Sequence, residues 1–260
     1  MGIFCAACTT VQTTSPGVVG VERPQRMSPL VSEAELQQGA AQAYQQILDD
    51  ARAKNVLNRD AAQVARVRAI AQRIIAQTGA FRTDARSWAW EVNVISVPEA
   101  NAWAMPGGKI AVYSDLVTGL RLTDQELAAV IGHEIAHVLR EHHRERASRA
   151  VTQNVALGVL GAATGAGQGT LELTQLALQV TFQLPHSRKQ ETEADRIGVE
   201  LSARAGFDPR AAVTLWQKMG QAAQGAPPEF LSTHPSGDAR IQDLRVYAEL
   251  VMPIYQAARR

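Results

Sequence analysis

The stretch His133-Glu134-Ile135-Ala136-His137 narrows what this chain can become more than any other. Four residues of helix turn about 400°, so on a helix the two imidazoles lie about 40° apart, one turn above each other. Both then reach one tetrahedral metal, and the chemistry of the pair demands the helix. Glu134 points to the adjacent side, where a carboxylate can contact a water in an open coordination position and take its proton. The flanking residues support this conformation. Thr123 and Glu126 have the spacing of a capping box, and Leu127, Ile131, Ile135 and Val138 supply an apolar face. The helix is expected to run to about Arg146.

A metal needs a third protein ligand. At 100° per residue from His133, His142 and His143 fall near 180° and 280° while His137 falls near 40°, which reads them as solvated surface residues. His186 follows Pro185 in a turn and is a weak candidate. The segment Ser187 to Asp195 is better. Its helix places Ala194, Gly198, Leu201 and Ala205 on one buried stripe, with Glu191 about 60° and Asp195 about 100° from Ala194. Glu193, near 260°, reads as exposed. Two carboxylates aimed at a packed interface need a cation, because burying an unpaired anion is costly. Glu191 is therefore the expected third ligand and Asp195 the group that orients a ligand imidazole, around one zinc per chain.

The rest of the chain reads as a mostly helical α+β protein. Glu33 to Lys54 has helical periodicity, and Asn58 or Asp60 can cap a second helix that Gly79 ends. Trp88, Trp90, Val92 and Val94 then alternate with Ala89, Glu91, Asn93 and Ile95, as a strand does. Ala102 to Met105 and Ile110 to Tyr113 are further short strands around the turn Pro106-Gly107-Gly108, giving a small sheet beside the metal-binding helix. Helices are expected at about 147–163, 171–183, 188–205, 209–224 and 237–257, broken by a Gly-rich loop from Gly161 to Gly169 and by Pro227-Pro228.

Apolar residues make up 46% and the formal net charge is +1, which offers no basic field for nucleic acid. Both cysteines, Cys5 and Cys8, precede the folded body, so no disulfide framework is expected. Phe4-Cys5-Ala6-Ala7-Cys8 is similar to the end of a bacterial lipoprotein signal, with Cys8 lipidated and the polar stretch to Pro29 as its tether, although the apolar run before it is short. The expected division is a signal remnant or tether over 1–30 and a single catalytic domain over 31–260. No stretch is long enough for a membrane span; Val155 to Ala166 reads as a buried or site-flanking helix.

H-E-x-x-H followed by S-R-x-x-E-x-x-A-D resembles the zinc metallopeptidases related to the CaaX prenyl endoprotease and the HtpX protease, and most of all their soluble envelope branch, LoiP-like and BepA-like. Asn101 to Gly108 and Thr233-His234-Pro235-Ser236 with Arg240 extend the likeness over about residues 60–250. The resemblance implies a gluzincin-type fold, zinc held by His133, His137 and Glu191, and a substrate strand pairing with the sheet edge near Ile110 to Tyr113. It also implies a periplasmic endopeptidase, lipid-anchored if Cys8 is modified, acting on misfolded or envelope proteins. Two departures bear on this: the membrane helices of some branches are missing, and the end at Arg260 leaves no room for a BepA-like repeat domain. His234 and Arg240 are candidates to stabilise an oxyanion; His234 can instead take the open metal position as a latch, and Arg240 can simply form a salt bridge. The competing function is a non-catalytic zinc-containing chaperone or assembly factor. An intact Glu134 speaks against it, since a structural site needs no general base.

Overall fold

The computed structural model describes residues 8–156, 169–223, 228–235 and 237–259, and side chains at 154–156 and 169–170 lie outside this description. Cys5, all but the last residue of the Gly161–Gly169 loop, Pro227, Ser236 and most of Val155–Ala166 therefore lie outside the described residues.

Helix α1 (Glu33–Ala53) starts at Ser32, whose hydroxyl accepts from the Glu35 N–H, and α2 (Ala61–Ile75) starts at Asp60, whose carboxylate accepts from Ala62 and Gln63. Three strands follow: one over Glu91–Ile95, one over Ala102–Met105 and one over Lys109–Tyr113. With an N-terminal pair, Thr9–Val11 (β1) and Gln25–Met27 (β2), these three are β3, β4 and β5. The sheet order is β3-β5-β4, with β5 parallel to β3 and antiparallel to β4. Alternation assigns its faces. Val94, Ala102, Ala104, Ile110 and Val112 join the main core, whereas Ile95, Trp103, Met105 and Ala111 pack with Leu36, Ala40, Tyr44 and Leu48 of α1.

Two strand expectations change. The alternation from Trp88 begins as a strand only at Glu91, because Trp88 and Trp90 stack on each other and the Trp90 indole donates to the Ala85 carbonyl of a 3₁₀ turn. Strand β5 is central, with both edges paired, so it offers no edge to a substrate strand. The edge next to the metal-binding helix is β4.

After α3 (Ser114–Gly119) comes α4 (Asp124–Leu139), opened by the capping box of Thr123 and Glu126. It is buried from Glu126 to Leu139, the position of a helix at the centre of the core. It stops seven residues short of Arg146. Glu141 takes a left-handed conformation, φ 49°, and α5 (His142–Ala156) starts in a new direction. Next come α6 (Gly169–Leu178), a π-helical turn over Gln179–Gln183, and α7 (Arg188–Arg204), capped by Ser187 with Gln190. The C-terminal part holds α8 (Ala211–Ala222), α9 (Phe230–Thr233), α10 (Asp238–Leu250) and α11 (Met252–Ala258). The single expected helix 237–257 divides at Val251 because Pro253 has no N–H to continue the ladder.

Helices α4 and α7 cross in backbone contact. A Cβ on Gly132 would come 2.8 Å from the Gly198 carbonyl oxygen, and one on Gly198 would come 2.8 Å from the His133 nitrogen. Only two glycines permit this approach, and it brings His133 against the carboxylates of α7.

The N-terminal stretch is not a free tether where it is described. Val19, Val21 and Met27 are buried, and Arg23 pairs with Glu145 and Glu193. The turn-rich composition that suggested a linker instead serves a β-hairpin-like strap that buries Val19, Val21 and Met27 and leaves Val18 and Leu30 exposed.

Candidate metal centre

α4 delivers His133, Glu134 and His137; α7 delivers Glu191 and Asp195; the chain after α9 delivers His234. All six are buried. His133 Nε2 lies 3.0 Å from His137 Nε2 and 3.4 Å from Glu191 Oε2, and His137 Nε2 lies 3.3 Å from Glu191 Oε1. His234 Nδ1 closes the group at 3.3 Å from His133 Nε2 and 3.1 Å from Glu191 Oε1.

Four donor atoms thus surround one point. Ligands at zinc–nitrogen and zinc–oxygen distances of about 2.0–2.1 Å stand about 3.3–3.4 Å apart along the edges of a tetrahedron, close to these separations. Imidazole lone pairs and an anion packed this closely repel unless a cation lies between them, so the donor set fits a metal ion.

Outer partners hold the donors. Asp195 Oδ1 is 3.0 Å from His133 Nδ1, which leaves Nε2 to face the other three donor atoms. Burial disfavours charge on His133, yet Asp195 and Glu191 lift its pKa to about 9, whereas burial drives His137 well down. Arg240 donates to both Asp195 oxygens at 2.7 and 2.8 Å and to the Pro235 carbonyl, and lies 2.8 Å from Glu191 Oε2 and over the Trp216 ring. Its guanidinium thus faces Asp195, Glu191 and the Pro235 carbonyl, which is the arrangement of the salt-bridge alternative.

Glu134 faces a cavity of about 100 Å³ lined also by Trp103, Ala104, Tyr113, Phe182 and His234. Burial pushes its carboxyl up, opposed by the charges of His234 and His133, which suits a group that must both take and return a proton. His234 Nε2 is 3.4 Å from Glu134 Oε1, and its ring stacks on Phe230 and His186.

Three residues read as solvated are not. His142, His143 and Glu193 are buried; for the two histidines, the break at Glu141 ends the 100° count that placed them outward. His142 Nδ1 comes 2.8 Å from His137 Nδ1. Burial takes the His142 imidazole down to about 4. Glu193 is gripped by Arg140, Arg23 and His142; burial raises its pKa, but these partners bring it to about 2. No sequence signal pointed to them, since their partners come from distant segments. His186 is also buried, its ring centroid 3.8 Å from that of His137, with Arg146 against it.

The family model described as Peptidase family M48 matches residues 61–248. Mitochondrial metalloendopeptidase OMA1 of Arabidopsis thaliana is 40% identical over 58% of this chain and 30% of its own length. The OMA1 of Schizosaccharomyces pombe is 40% identical over 67% of this chain and 50% of its own. The beta-barrel assembly-enhancing protease of Escherichia coli is 34% identical over 62% of this chain and 35% of its own. The chain thus spans half or less of the length of these relatives.

Proposed function

This chain belongs to peptidase family M48, and from that premise we propose that it is a zinc-dependent endopeptidase whose general base is Glu134. The observation that carries the reading is the convergence of His133, His137 and Glu191 beside a Glu134 carboxylate facing the cavity. Two imidazoles and one carboxylate at tetrahedral spacing favour zinc among the divalent metals. When bound, zinc supplies Lewis acidity that polarises a water and the scissile carbonyl.

The chain does the rest. His133, His137 and Glu191 would hold the metal. Asp195 keeps the His133 proton on Nδ1, and Arg240 holds Asp195 and Glu191 in place. Glu134 accepts the attacking water's proton on a carboxylate oxygen and returns it to the leaving amine. An extended substrate pairs along β4, whose Trp103 and Ala104 line the cavity, and Phe182 helps to exclude water. His234, whose Nδ1 lies among the donor atoms, would also hold the metal, as a latch that substrate displaces.

The decisive experiment is cleavage of an unfolded protein with zinc, with a chelator, and with Glu134→Gln. Zinc-dependent cleavage abolished by both is expected. Equal activity in all three arms refutes the mechanism, and none in any arm supports the zinc-containing chaperone.

Misfolded or envelope proteins are the proposed substrates, and a bacterial envelope location with Cys8 as lipid anchor is the proposed setting. The relatives named as assembly-enhancing proteases support this; those named as mitochondrial pull the other way. Mass spectrometry of the membrane fraction should find a diacylglyceryl group on Cys8, and an unmodified Cys8 in the soluble fraction overturns the anchor.

A further inference from the structure

His142 and Glu193 are buried behind the metal centre, and their hydrogen bonds have a determinable direction. His142 Nδ1 is 2.8 Å from His137 Nδ1, and His142 Nε2 is 3.1 Å from Glu193 Oε2. Glu193 accepts from Arg140 at 3.0 and 3.2 Å and from Arg23 Nη2 at 3.1 Å, with Arg23 Nε also against it. A carboxylate between two guanidiniums is ionised and can only accept. The proton between His142 and Glu193 therefore belongs to His142 Nε2.

A neutral imidazole carries one N–H, so His142 Nδ1 is a lone pair. The proton of the next bond must then come from His137 Nδ1, and the remaining lone pair of His137 sits on Nε2, the atom facing Glu191 and His133. The opposite arrangement would put a proton on the ligand atom.

We propose that Glu193 and His142 are positioning residues, a relay that fixes the tautomer and ring orientation of His137 as a metal ligand. Asp195 stands directly against His133 Nδ1 at 3.0 Å, whereas the relay reaches His137 through two steps. Its far end is Arg23 of the N-terminal strap, so the strap is part of the support of the metal site. The proposal rests on His137 being a ligand.

The test measures zinc affinity by competition with a chromogenic chelator for wild type, His142→Phe and His142→Gln. Long-range ¹⁵N–¹H spectra of histidine-labelled wild type are recorded alongside. Wild-type His142 should show a protonated Nε2 and a bare Nδ1. His142→Phe should bind zinc about 10–100-fold more weakly, the usual cost of losing such a partner. His142→Gln, whose amide can donate to Glu193 and accept from His137, should recover most of that loss. A proton on His142 Nδ1 overturns the relay, as does a folded His142→Phe with wild-type affinity, or a His142→Gln as weak as His142→Phe. If His142→Phe does not fold, the wild-type spectrum still decides. A wild-type protein that takes up no zinc refutes the metal site itself, a failure distinct from the relay's.

Discussion

Glu134, Glu191, Glu193 and His234 sit within one small volume, and substitution separates their roles. Glu134→Gln keeps the shape but removes the proton acceptor, so zinc content and fold should persist while cleavage drops by about 10²–10⁴-fold; metal analysis and a peptide assay check both. Glu191→Gln should weaken zinc binding sharply without lowering the melting point of the chelator-treated protein. Glu193→Gln should cost several kcal/mol of stability, on the order of 3–5, because it leaves Arg140 buried with a weakened partner. Helical phasing alone makes Glu193 an indifferent surface residue, so thermal melts of the two variants discriminate between wheel and structure. For His234→Ala the latch arrangement predicts faster cleavage of short peptides; slower cleavage would mark His234 as a transition-state donor instead.

At the scale of elements, the α4–α7 crossing sets the distances between the donor atoms of His133, His137 and Glu191. Gly198→Ala would drive a Cβ to 2.8 Å from the His133 backbone nitrogen. The helices must part, and overpacking of this kind costs about 1–3 kcal/mol. Zinc affinity should fall with it, since His133 and Glu191 lie on opposite helices, and a melt plus chelator competition reads both effects. The end of α4 matters equally. Left-handed Glu141 is held by ion pairs to Arg82 and Arg144, and it turns the chain so that His142 returns beneath His137.

Across the whole molecule, the N-terminal strap is joined to the core by Arg23, which bridges Glu145 of α5 and Glu193 of α7. Arg23→Ala should lower stability by about 2 kcal/mol, less than a fully buried pair because Arg23 is partly exposed, and lower the melting temperature by roughly 4–8 °C. The pH dependence has a defined sign. Burial pushes the Glu145 carboxyl up, but Arg23 more than offsets this and holds it below its ordinary value. Its stabilising contribution is present above the unfolded pKa of about 4.3 and is lost as pH falls through the lower folded value. Melts between pH 3 and 6, on the order of the window that reference value defines, should show a flatter acid limb for Arg23→Ala than for wild type.

What the sequence determined by itself was local: H-E-x-x-H demands a helix, Thr123 and Ser187 cap two helices, and periodicity brings Glu191 and Asp195 toward the buried face of α7. These follow from geometry within one turn or two of a single element. The tertiary structure alone decided what depends on distant segments meeting. It made β5 central and β4 the edge beside α4, brought His234 into the donor group, committed Arg240 to Asp195 and Glu191, and buried Glu193 and His142. A helical wheel reports the direction in which a side chain leaves its helix, and only packing decides whether water or Arg23 and Arg140 wait there.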